Sequence, residues 1–361
     1  MLGLRSIIRK LRSSSTLSST CNNFAKRYSN SATTSPDKLN VGVIGAGNIG
    51  CAVCVGLTKA GHNVKVYDPN ETNAAFLKKI GAEWSRRELD VATDANVLIT
   101  AVPAPPHVRH VMEEIGVLRE LREGACWIDH TTTDKNESIR LARVAESRNV
   151  NMLEAPLTGG LELLKAGLMT VLVGGDENVL RKYEPIVRTY TETVLHMGPV
   201  GSASVVKIIS NMLAGAHVVI SAEAVMLAKR QGVNMQAFFD GIRASAGNSY
   251  VFETEVPLMY NGTCEPGFTI ALHNKDFALG RELCAESRVP MEVMGLVDQI
   301  YRKAQNKYGD DVGSTWPAKL IEDDLHESMQ IDGYENWCYK IEKVTGGGIA
   351  VVHKFDKKHD D

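Results

Sequence analysis

Residues 41–50 read VGVIGAGNIG, an apolar run that breaks into glycines at positions 45, 47 and 50. A strand that ends in G-x-G-x-x-G and opens a helix is the start of a nucleotide-binding βαβ unit. Gly45 allows the tight turn, Gly47 lets a pyrophosphate approach the backbone, and Gly50 lets helix and strand pack closely. Ala46, Asn48 and Ile49 fill the loop and the first helical turn, whose free N–H groups and positive dipole end favour phosphate. Asp68 follows the second apolar run, 18 residues after Gly50. A carboxylate there accepts hydrogen bonds from ribose hydroxyls and repels a 2′-phosphate. No Lys or Arg follows it before Lys78, which favours NAD over NADP.

Outward from this loop, short apolar runs alternate with helical stretches. Residues 40–45, 63–68, 96–102, 125–129, 151–157, 169–175 and 193–198 read as strands. Several are apolar at consecutive positions, as parallel strands covered on both faces are. Beyond Gly201 the strand signals stop. Ser202 to about Gln231 reads as one helix ended by Gly232, and helical patterning continues to about Glu327. The pattern predicts an α/β chain: a Rossmann-type doubly wound parallel sheet over 38–200, a long connecting helix, and an all-α domain over 201–335. Residues 336–361, with TGGGIA at 345–350, read as loop and solvated end.

Bulk properties exclude several classes. A net charge of −3 over 361 residues gives no basic surface for nucleic acid. The run 208–228 is apolar enough to span a bilayer, but Asn211, His217 and Glu223 interrupt it, so membrane insertion is not expected. Seven cysteines form no disulfide-like framework. Cys51 and Cys54 have C-x-x-C spacing but no second pair to complete a metal site, so no metal is expected. Residues 1–36 carry Arg5, Arg9, Lys10, Arg12, Lys26 and Arg27, nine serines and no acid. That is the composition of a mitochondrial import leader, which places the chain in the matrix, with plastid import as the competitor.

Two further stretches bear polar groups in unusual settings. VVKIISN, residues 205–211, puts Lys207 and Asn211 on one face of an apolar helix, continued by Ala214 and Gly215. Spacing alone is better met by a lysine snorkelling at a helix end and an asparagine capping locally. LEAPLTGG, residues 153–160, ends a strand in Thr158, Gly159 and Gly160. Such a turn lets backbone N–H groups converge on an anion, although an ordinary turn has the same composition.

Four segments in order, GAGNIG, EAPLTGG, GPVGSASVVKIISN (198–211) and GFTIALHNKD (267–276), resemble the β-hydroxyacid dehydrogenase family. ASAGNSYVFETEVP (244–257) fits a fifth segment. The resemblance runs from about Leu39 to Glu327. It implies that Lys207 is the catalytic lysine, Asn211 a substrate-orienting amide, and Thr158, Gly159 and Gly160 the loop that holds the substrate carboxylate. It further implies that Lys275 lies near the nicotinamide, with Asp276 supporting it, and that Val102, Pro103 and Thr132 contact NAD. The chain departs from the family pattern at Ile49, Glu154, Thr158 and Ser210. The implied reaction is oxidation of a small β-hydroxyacid with NAD, foremost 3-hydroxyisobutyrate to methylmalonate semialdehyde in valine breakdown. Lys207 would take the hydroxyl proton, a role favoured by an apolar surround and the positive nicotinamide ring. The alternatives are a reductase of the same family for glyoxylate, succinic semialdehyde or tartronate semialdehyde, and a catalytically silent NAD-binding module. A homodimer or homotetramer through the helical domain is expected.

Overall fold

The computed structural model describes residues 38–344 and 349–354. The leader read at 1–36 and the charged end at 355–361 lie outside the described residues. The described residues divide into two compact units: the chain up to Gly159 with Leu163–Lys207, and Gly160–Glu162 with the chain from Ile208 onward.

In the first unit β1 Asn40–Ile44, β2 Asn63–Tyr67, β3 Glu83–Trp84, β4 Val97–Thr100, β5 Cys126–Asp129, β6 Asn151–Glu154, β7 Leu157–Thr158, β8 Thr170–Gly174 and β9 Thr193–Gly198 form one sheet. Its order is β3-β2-β1-β4-β5-β6-β8-β7, with β9 beside β8. The pairs from β3 across to β6 are parallel. Every residue of β4 and β5 is buried, which is why these strands read as unbroken apolar runs. Helices over 105–120 and 135–146 place Val108, Met112, Leu118, Leu141 and Ala145 against Leu98 and Trp127. Strand order reverses between β1 and β4, so their carboxyl ends open the crevice where this fold binds ligands.

The expected strand 151–157 is two strands. Pro156 has no N–H for a ladder, and the chain turns there so that β7 pairs antiparallel with β8. Glu83–Trp84 is a further strand, too short to leave a period in the sequence.

The helix Ser202–Arg230 runs from the first unit into the second. There it borders two apolar clusters, giving Val218, Val225 and Met226 to one and Ile208, Met212 and Val219 to the other. It is not apolar-buried all round: Val206, Leu213, Ile220 and Leu227, seven residues apart, stay exposed. Small residues let the helix Ile270–Ser287 cross it closely. A Cβ on Gly215 would meet Phe277 at 2.7 Å, and one on Gly280 would meet Met212 Sδ at 2.3 Å.

The expected solvated end is corrected by an antiparallel hairpin, Cys338–Lys343 with Ile349–Lys354. The residues WCYKIEK alternate apolar and polar, and Trp337, Ile341 and Val351 are buried. Trp337 stands edge-on to Phe239 with centroids 4.7 Å apart. Trp337→Ala is expected to destabilise the helical unit by about 3–5 kcal/mol. Denaturant unfolding checks this; an unchanged midpoint would show that the hairpin lies on the core without contributing to it.

Candidate active site

The glycine loop follows β1 directly. Gly45 has φ of +101°, and a Cβ there would lie 2.2 Å from the Ala101 carbonyl oxygen after β4. A Cβ on Gly50 would lie 1.8 Å from the Gly45 carbonyl oxygen. Both positions therefore require glycine. Gly47 is different: a Cβ there meets nothing within 4 Å. It caps the helix Asn48–Lys59 with no side-chain hydrogen bond to the free N–H groups.

Asp68 ties into this loop. Its Oδ2 accepts from the Ala46 N–H at 2.6 Å and its Oδ1 from the Asn70 N–H at 2.7 Å. Burial pushes its carboxyl up, and those two bonds oppose the rise. A carboxylate has about four lone-pair sites, so two amide bonds leave capacity for ribose hydroxyls. Asn48 Oδ1 is buried without a partner among the described residues. Open space above Gly47, an uncapped helix start, an orphaned amide oxygen and an anchored acid fit a dinucleotide.

Two more loops at the strand ends are held by a buried acid that sequence reading passed over. Asp129 Oδ1 accepts from Thr100 Oγ1 at 2.8 Å and from the Thr131 N–H at 3.0 Å. Burial pushes this carboxyl up to about 6 against those bonds. Thr131 Oγ1 accepts from the Val102 N–H at 3.2 Å, which joins loop 101–103 to loop 130–133. Val102 and Thr132 are half-buried and Pro103 is exposed.

Glu154, noted from sequence only as an unusual residue, fixes the start of the long helix. It is 2% exposed, and its Oε1 accepts from the N–H groups of Ala203 at 2.6 Å and Ser204 at 3.1 Å. Ser204 Oγ donates to Oε2 at 3.1 Å. A carboxylate on the first turn satisfies orphan amides and meets the positive dipole end. Glu154 therefore holds the first turn of the helix that carries Lys207, which is half-buried one turn further on.

Thr158 closes β7, and Gly159 and Gly160 follow with φ of +131° and +79°. Only glycine takes both conformations without strain. On the helical unit Asn211 Nδ2 donates to Asp276 Oδ2, and Lys275 Nζ is 2.7 Å from Asp276 Oδ1. His273 Nε2 donates to the Asn211 carbonyl oxygen at 2.8 Å. Asp276 is 1% exposed. Thus the structure brings Asn211, Lys275 and Asp276 together around one buried carboxylate, and it gathers Gly45, Ala46, Gly47, Gly50 and Asp68 around the loop after β1.

Residues 40–198 match the NAD-binding domain of 6-phosphogluconate dehydrogenase. Residues 201–321 match the NAD-binding region of NADP-dependent 3-hydroxyisobutyrate dehydrogenase. The chain is 29% identical over 265 residues to 2-(hydroxymethyl)glutarate dehydrogenase of Eubacterium barkeri, covering 73% of this chain and 88% of that one. It is 29% identical over 269 residues to a probable mitochondrial 3-hydroxyisobutyrate dehydrogenase of Dictyostelium discoideum, covering 72% and 84%. Among solved structures, Mycobacterium tuberculosis 3-hydroxyisobutyrate dehydrogenase with L-serine superposes with a TM-score of 0.73 at 27% identity, covering 79% of this chain and 99% of that one. The chain belongs to the β-hydroxyacid dehydrogenase family, whose members are NAD-dependent oxidoreductases acting on the CH–OH group of small hydroxyacids.

Proposed function

We propose that the protein oxidises 3-hydroxyisobutyrate to methylmalonate semialdehyde with NAD, and that Lys207 accepts the hydroxyl proton. The observation that carries this reading is the helix Ser202–Arg230. Buried Glu154 fixes its start, it presents Lys207 and Asn211 one turn apart, and Asp276 locks Asn211 in place.

Bound NAD would supply the acceptor for the hydride that leaves the carbinol carbon. The chain does the rest. The N–H groups after Gly47 and the first turn through Ala46, Asn48 and Ile49 hold the pyrophosphate, and Asp68 accepts from ribose hydroxyls. Val102, Pro103 and Thr132 line the nicotinamide side, steadied through Thr131 and Asp129. Thr158, Gly159 and Gly160 hold the substrate carboxylate. Asn211 orients the hydroxyl, and Lys207 receives its proton in oxidation or returns it in reduction. Asp276 keeps Asn211 and Lys275 in register.

The exposed stripe Val206, Leu213, Ile220 and Leu227 supports a homodimer or homotetramer, since a second copy of this helix would cover it at the same seven-residue interval. The Arg- and Ser-rich first 36 residues and the mitochondrial Dictyostelium relative support a matrix location and a place in valine breakdown.

Spectrophotometry of small hydroxyacids with NAD and with NADP tests the reading. NAD reduction with 3-hydroxyisobutyrate is expected. A preference for reducing glyoxylate, succinic semialdehyde or tartronate semialdehyde would favour the reductase alternative. No turnover with any of them would leave a silent cofactor-binding protein.

A further inference from the structure

The turn after β2 grips the glycine loop at a single residue, Ala46. Asp68 takes the Ala46 N–H, and Asn73 takes the other side: its Nδ2 donates to the Ala46 carbonyl oxygen at 2.8 Å. The turn is itself stiff. Asp68 Oδ1 accepts from the Asn70 N–H at 2.7 Å, and Asn70 Oδ1 accepts from the Thr72 N–H at 3.0 Å. Two successive Asx turns thus carry the chain from Asp68 to the one-turn helix Glu71–Asn73. Ala46 and Asn73 are each 3% exposed, so water does not compete for the bond between them. All of these groups belong to the first compact unit.

Asn73 does not do what an asparagine at its position ordinarily does. It is the N-cap of the helix Ala74–Lys79, where an Asn side-chain oxygen usually accepts from the free N–H groups of the first turn. Here the side chain makes no such bond. Its Oδ1 is instead buried without a partner among the described residues. A buried amide with an unsatisfied oxygen is destabilising, and an apolar residue of similar size would avoid that penalty. The bond that Asn73 does make reaches a carbonyl 27 residues away in the chain.

That carbonyl belongs to the peptide joining Ala46 to Gly47. Across a trans peptide the C=O and the N–H point opposite ways. Asn73 and the buried Cys51, whose Sγ lies 3.3 Å from the same oxygen, hold the carbonyl toward the interior. The Gly47 N–H therefore faces outward, on an exposed residue with open space around it at the start of the nucleotide helix. It has no acceptor among the described residues. Turned over, the same peptide would present its carbonyl oxygen, which only accepts, to an anion that needs donors. We propose that Asn73 is a positioning residue for the cofactor: by holding the Ala46 carbonyl inward it keeps the Gly47 N–H aimed at the pyrophosphate of NAD. It acts through Gly47, and its role rests on the loop after β1 being the pyrophosphate site.

The test is calorimetric titration with NADH, thermal unfolding without nucleotide, and steady-state kinetics with 3-hydroxyisobutyrate, on the full chain as wild type, Asn73→Leu and Asn73→Ala. Leucine is close to asparagine in size and removes both the bond to Ala46 and the unsatisfied oxygen. The nucleotide-free midpoint should therefore stay within about 4 °C of wild type, or rise. The Kd for NADH should increase about tenfold, the order of one hydrogen bond to a charged group. The KM for NAD should increase with it, while kcat and the KM for the hydroxyacid hold. Asn73→Ala cannot overpack the site and should show the same loss of affinity if leucine unsettles the fold. Unchanged NADH affinity in both variants overturns the proposal. So does an affinity loss matched in both by a large fall in the midpoint, which would make Asn73 a structural residue only. Failure of the wild type to bind NADH would overturn the pyrophosphate site with it, and is told apart because no variant is then needed to see it. The calorimetric arm stands whichever hydroxyacid the protein turns over.

Discussion

Lys207→Ala is expected to lower turnover by about 10²–10⁴-fold, the usual contribution of a positioned acid–base group, while NAD still binds. The nucleotide loop is built from β1, β2 and the helix Asn48–Lys59, and none of its hydrogen bonds described above involves Lys207. Alanine is also the best helix former, so the helix Ser202–Arg230 keeps its shape. Lys207→Arg separates charge from proton transfer. A guanidinium keeps the positive charge but does not give up its proton in proteins, so it too should fail in the oxidative direction. Turnover and NAD titration on both variants check this. Near-normal rates in either would remove Lys207 from the proton path.

The second large effect is at Gly50. Its missing side chain is the reason β1 and the nucleotide helix meet closely: a Cβ would lie 1.8 Å from the Gly45 carbonyl oxygen, which is backbone and cannot rotate away. Gly50→Ala is expected to cost roughly 1–3 kcal/mol or more in stability and to displace the loop that receives the phosphates. Gly47→Ala is the contrast. A methyl group there touches nothing within 4 Å, so stability should hold while NAD affinity falls, because the space above Gly47 is the space a pyrophosphate needs. Thermal unfolding and calorimetric titration with NAD distinguish the two variants. Unchanged NAD affinity in Gly47→Ala would mean that the space above Gly47 does not serve the cofactor.

Much of this was legible in the residues, for reasons that can be named. Buried parallel strands leave consecutive apolar residues, so β1, β4, β5 and β8 read directly. Gly232, with φ of +73°, ends the long helix where the sequence places its stop. What escaped lacks a local period. Glu83–Trp84 is two residues long, and the break at Pro156 shows only as one missing donor. The hairpin did leave a signal: W-x-Y-x-I and I-x-V-x-H alternate on either side of a glycine run. The glycines and the charged residues after them drew the reading toward solvent. Among candidate site residues, the family resemblance marks Lys207 and Asn211, which spacing alone does not. Neither gives Glu154 or Asp129 a role, because a buried acid announces itself only through donors brought from elsewhere in the fold. Gly215 continues the face of Lys207 and Asn211, and His273 and Phe277 pack against it there.

The most direct measurement is a crystal structure with NADH and 3-hydroxyisobutyrate bound, a pair that cannot react, read at one distance. Lys207 Nζ is expected within about 2.6–3.2 Å of the hydroxyl oxygen. Nζ turned to solvent, with another side chain on that oxygen, would contradict Lys207 as the proton acceptor.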